Sequence, residues 1–150
     1  MKKKLLLVFM IALAIFMTTG CDKKKNEKKK EESPIPTIDP VDEPDPNAPN
    51  VSVEEKDAHS DDNKIVFKDK DTIFVFYFEG NKVIAFHQII DMETAEMAQD
   101  LAKGLKDSQN IRSITTEGQY VLIENKSGTY KNMMTSDVRL VYQDLEEVKG

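Results

Sequence analysis

The sequence predicts an α+β domain, a mainly antiparallel sheet in the order β-β-β-α-β-β-α with helices packed on it, over residues 64–150. Three observations carry that expectation. Two strand-like runs, Thr72–Glu79 and Lys82–Ile90, flank the two-residue loop Gly80-Asn81, and such a spacing reads as a hairpin with a type I′ or II′ turn. Two later segments place apolar residues at helical spacing. All six prolines fall between Pro34 and Pro49, so nothing beyond them breaks an element interior.

Taken in order, Ile65-Val66-Phe67 is a short strand, and Thr72–Glu79 (TIFVFYFE) is rich in the β-branched and aromatic residues that strands favour. Residues 92–106 form an amphipathic helix whose stripe is Ala95, Ala98, Leu101, Ala102 and Leu105. Asp91 is placed to cap it, and Glu93 and Glu96 suit the positive end of its dipole. Ile111–Thr116 and Gln119–Asn125 make a second strand pair around Glu117-Gly118. Lys126–Met134 is a loop. A last helix runs from Thr135 or Ser136, as its cap, to Val148, with Val138, Val141, Tyr142, Leu145 and Val148 on one side. Hairpins dominate, so the sheet is antiparallel with helices layered on it.

The register expected from the Gly80-Asn81 loop sets Phe78 opposite Val83, Phe76 opposite Ala85 and Phe74 opposite His87. Those six, with Ile89, share one face. Ile73, Val75, Tyr77, Ile84, Phe86 and Ile90 share the other. Both faces are apolar, whereas a sheet with one solvated face alternates apolar with polar. Two short helices cover one face, so the second needs another cover. The loop 126–134, with Tyr130, Met133 and Met134, or a division of the helices between the faces would supply it within the chain. Otherwise the Phe74, Phe76, Phe78 face is a surface for a protein partner or an apolar ligand. His87, mid-strand among aromatics, reads as a packed, hydrogen-bonded histidine.

Ahead of the domain the composition changes twice. Residues 22–32 are Lys-rich, with Lys23–Lys30 holding six lysines, and residues 33–62 hold nine acidic side chains and one Lys. Such segments bury too little apolar surface to offset their ordering entropy. Residues 21–63 are therefore expected to be a tether, spanning roughly 35–40 Å as a coil. Its basic part is drawn to an anionic bilayer by roughly 1 kcal/mol per charge, if it is not a plain spacer. Asp57, His59, Asp61 and Asp62 cluster in it, but nothing near them would pre-organise a metal site.

The first residues are of another kind. Lys2, Lys3 and Lys4 precede thirteen uninterrupted apolar residues, Leu5–Met17, and then Thr18-Thr19-Gly20-Cys21. A basic start, a short apolar run and small residues before a cut site make a secretory signal over residues 1–20. As a helix the run spans roughly 20 Å, against about 30 Å for a bilayer core. Thr18-Thr19-Gly20-Cys21 resembles a bacterial lipobox, the site of the lipoprotein signal peptidase, with Thr18 where a Leu is usual. That resemblance implies cleavage before Cys21, a thioether-linked diacylglycerol on it, and a chain anchored to the cell membrane on its extracytoplasmic side. Two acyl chains suffice for stable attachment. Lipidation also disposes of the one Cys in the sequence, which would otherwise be an exposed thiol.

The domain is itself similar to small lipoproteins of low-GC Gram-positive bacteria. The likeness rests on Phe78-Glu79-Gly80-Asn81-Lys82-Val83, the acidic helix from Glu93, and Met134-Thr135-Ser136-Asp137. It implies an extracytoplasmic lipoprotein without an enzymatic role.

The function classes narrow accordingly. A formal net charge of −6 argues against nucleic acid as a partner. No nucleophile-elbow, phosphate-loop or zinc-protease pattern occurs, so no catalytic residue, cofactor or metal is expected. Two readings remain: a non-enzymatic interaction module displayed on a tether, or a small receptor for an apolar ligand or peptide with a pocket between sheet and helices.

Overall fold

The computed structural model describes residues 43–150. Residues 1–20, expected to be a signal, with Cys21, the Lys-rich run and most of the Pro-rich segment, lie outside the described residues. Eight regular elements follow in order: β1 (Lys64–Asp69), β2 (Thr72–Glu79), β3 (Lys82–Asp91), α1 (Ala95–Leu105), β4 (Ile111–Glu117), β5 (Tyr120–Asn125), α2 (Thr135–Val141) and β6 (Glu146–Glu147). The strands form one antiparallel sheet in the order β4-β5-β3-β2-β1-β6. The α+β class is thus as read, while the order gains a closing strand.

Both long hairpins turn on glycine. Gly80 (φ +60) and Gly118 (φ +56) each take the first position of a two-residue loop, where a type II′ turn needs a positive φ. Past the first loop the register departs from expectation. Phe78 does oppose Val83, but Tyr77 then opposes Ala85, leaving Ile84 as the extra residue of a bulge. From there Phe76 opposes Phe86, Val75 opposes His87 and Ile73 opposes Ile89. A one-residue slip sends every later side chain to the other face. Phe86 therefore joins the phenylalanines, and His87 and Ile89 leave them.

The phenylalanine face carries Ile65, Phe67, Phe74, Phe76, Phe78 and Phe86, and is closed by Tyr130, Met133, Val138, Tyr142 and Leu145. Farther along it, Ile90, Val121 and Ile123 pack under Ala98, Leu101, Ala102 and Leu105 of α1. Both helices thus lie on one face, and the loop 126–134 helps fill it. Phe74, Phe76 and Phe78 are 3%, 1% and 6% exposed. They are core, which corrects the expectation of a partner or ligand surface there.

The opposite face carries Val66, Ile73, Val75, Ile89 and Leu122, with His87 among them. Its cover is neither α1 nor α2. Val51, Val53 and Ala58 pack on it from the N-terminal side, and Val148 from the C-terminal side. Val53–Asp57 forms a 3-10 turn with Glu55 buried. The packed chain thus begins by Val51, and a tether running to residue 63 is corrected. Below it, Asn63 O accepts from Phe78 N at 2.8 Å.

The helix ends also differ from those expected. Thr94, not Asp91, caps α1, its hydroxyl accepting from Met97 N at 3.2 Å. Asp91 ends β3 and binds Gln119 Nε2 at 2.6 Å. At α2 neither Thr135 nor Ser136 caps; Asp137 reaches back to Met134 N at 2.8 Å. That helix stops at Val141 rather than Val148. Tyr142 turns inward to rings at 5.0–5.5 Å on Phe76, Phe67 and Phe74. Glu146 and Glu147 then pair with Lys68 and Phe67 of β1. An opposite-charge cross-strand pair and a free sheet edge outweigh helical spacing here.

Burial of Tyr142 has a pH consequence. It pushes the phenol up to about 12 from its ordinary value near 10. The folded state favours the neutral ring, so the stability it lends is complete below about pH 10 and lost as pH rises through about 12. Unfolding by urea at pH 9 and pH 11.5 is expected to show the domain weaker at the higher pH. Tyr142→Phe should remove up to about 2 kcal/mol of that difference.

Candidate functional site

The described residues carry one buried row of ionisable groups, and it lies under the N-terminal segment. The bulge in β3 places His87 beside Val75 with no exposed surface. Its Nδ1–H donates to both oxygens of Glu55, at 2.9 and 3.1 Å. Tyr77 Oη donates to the same Glu55 Oε1 at 2.6 Å, and the Tyr77 ring lies 5.3 Å from the imidazole. Burial, followed by the Glu55 hydrogen bond and charge, holds the Tyr77 hydroxyl well above the ordinary phenol range.

On the far side, His87 opposes Glu124 of β5, with Nε2 3.9 Å from Glu124 Oε1. A second bulge makes Arg112 the extra residue of β4. Its guanidinium pairs with Glu124 Oε1, and Ser113 Oγ donates to Oε2 at 2.9 Å. Two buried atoms in the row, His87 Nε2 and Arg112 Nη1, have no hydrogen-bond partner. The row therefore runs Tyr77, Glu55, His87, Glu124, Arg112 across β2, β3, β5 and β4, with Glu55 supplied by the 3-10 turn outside the sheet.

Chemically the row is a clamp. The imidazole has no exposed surface, and the serine of the row, Ser113, donates to Glu124. What it does is bind one carboxylate from a segment outside the sheet. His87 was legible as a packed, hydrogen-bonded side chain; Glu55 was not. The signal that pointed to Glu55 was the uncovered second face, together with the alternation Val51, Val53, Glu55 just ahead of the first strand.

The acidic cluster ahead of β1 does other work. Asp61 accepts from Asn63 N and Lys64 N at 2.8 and 3.1 Å, and its pairing with Lys64 Nζ holds its carboxyl below the usual range. Asp57 pairs with Lys56, and His59 lies against Gly150. No group of three metal-ligating side chains occurs among the described residues.

Two open depressions lie on the surface. The larger, about 320 Å³, is bordered by Lys56, Lys68, Lys70, Asp71, Ile73 and Ile89. The other, about 130 Å³, is bordered by Lys82, Ile84, Ser127 and Tyr130. Neither is bordered by a residue of α1 or α2, whereas the receptor reading places its pocket between sheet and helices. No protein-family model, curated protein or solved structure matches the chain.

Proposed function

We propose that this chain is a lipid-anchored extracytoplasmic protein whose β-sheet domain is a non-enzymatic interaction module. The observation that carries the anchor is the placement of the single Cys, Cys21, directly behind a basic start and thirteen apolar residues. Diacylglycerol on Cys21 attaches the chain to the bilayer, and the Lys-rich and Pro-rich sequence links that anchor to the domain. The filled phenylalanine face supports a module that works through its surface rather than through an internal apolar pocket. The sealed His87 supports a role without catalysis.

Intact mass of the membrane fraction from the native host tests the anchor. A chain beginning at Cys21 and heavier by its lipid is expected. Cys21→Ala should abolish both the added mass and the membrane partition. Recovery of the unmodified full-length chain from the cytosol would overturn the reading.

A further inference from the structure

The segment Val51–Ala58 is held to the sheet in an unusual way. Its backbone hydrogen bonds stay within itself, Glu55 N to Ser52 O and Ala58 N to Glu55 O. Its 3-10 turn has no side-chain cap. Contact with the sheet consists of Val51, Val53 and Ala58, all only partly buried, and the carboxylate of Glu55. Immediately after it the chain is pinned, since Ser60 N donates to Val148 O at 2.7 Å and Ser60 Oγ accepts from Val66 N at 2.9 Å. A short strap hung by side chains from a fixed hinge has few apolar contacts and no ladder bonds to hold it, so the bonds that opening must break are those of Glu55 to His87 and Tyr77. Beneath it lie Val75, Ile89, Leu122 and His87. A buried ionic row is weak evidence for stability as such. This one leaves His87 Nε2 and Arg112 Nη1 unsatisfied, and its one member outside the sheet is on the strap.

We propose that Val51–Ala58 is a displaceable cover, and that the face beneath it docks a short peptide segment of a protein partner in the strap's place. The strap shows the chemistry that the face accepts: two apolar residues at alternate positions and a carboxylate two residues on, taken by His87 and Tyr77. Lys68 and Lys70 border the adjoining depression together with Asp71 and Asp91, a rim of both signs that matches the strap itself, which carries Glu54, Glu55, Lys56 and Asp57. This rests on the interaction-module reading and names its docking face.

The probe is a peptide of residues 49–60 of this chain, titrated against the full chain and against a full-chain variant carrying Val51→Ser, Val53→Ser and Glu55→Gln. The variant's own strap no longer competes, so the peptide is expected to bind it about tenfold or more tightly than it binds the parent. The same peptide with Glu55→Ala should lose that binding. Hydrogen exchange on the parent gives a second measure, with strap amides exchanging on the order of 100-fold faster than those of β2 and β3. Equal peptide binding by the two chains, an unfolded variant, or strap amides exchanging as slowly as β3 would each overturn the proposal. The mass of the membrane fraction answers separately for the anchor.

Discussion

Phe76→Ala is expected to remove about 3–5 kcal/mol of stability, the range for deleting a buried aromatic side chain. Phe76 is 1% exposed. Its ring stacks on Phe86 with centroids 4.2 Å apart, meets Tyr142 at 5.0 Å and lies edge-on to Phe67 at 6.4 Å. Removing it strips partners from three rings at once, and Tyr142 is the residue on which α2 ends and the chain turns toward β6. Domains of this size hold only about 5–15 kcal/mol in all, so the variant should sit near its unfolding midpoint in little urea. The check is a fall in the urea midpoint at unchanged slope. A loss below about 1 kcal/mol would mean that the ring is not the centre of this face.

The second large effect lies in the buried row. Glu124→Leu should cost up to roughly 3–5 kcal/mol, because it leaves the partly buried Arg112 guanidinium without its carboxylate. Glu124 also faces His87 Nε2 and accepts from Ser113, so three groups lose a neighbour together. Adding Arg112→Met should recover most of the loss, since an apolar pair replaces a buried ion pair at little net cost. Urea unfolding of the parent, the two single variants and the double variant measures the coupling directly. Additive losses would show that Arg112 and Glu124 do not act as a pair.

The two substitutions probe opposite faces of one sheet, and the faces differed in how readily they could be read. Phe74, Phe76 and Phe78 announced a strand by their β-branched and aromatic company, and Gly80-Asn81 announced its turn. The bulge at Ile84 announced nothing. It is selected by the rings, since only the shifted register brings Phe86 onto Phe76 and takes His87 away from both. Sequence alternation has period two on either register, so the choice could be made only by what each face packs against.

The end of the last helix shows the same limit. Val138, Tyr142, Leu145 and Val148 keep helical spacing, yet Val148 packs on the histidine face and Val141 is 61% exposed. The edge of β1 offered unpaired backbone groups, and Glu146-Glu147 satisfied them. At the other end, Val51–Ala58 looked like tether because it is acidic and follows the prolines. Its two valines and Glu55 become meaningful only beside an apolar face that holds a histidine.

The amino-acid sequence alone determined the hairpins, the two helices, the antiparallel α+β class and the placement of Cys21 behind an export-type run. Each of these is set by neighbours a few residues apart: turn glycines, local periodicity, an uninterrupted apolar stretch. Only the tertiary structure decided the register beyond Ile84, the sixth strand, and the seating of Glu55 on His87 and Tyr77. Those depend on pairs distant in the chain, whose interaction exists only when burial removes water from between them.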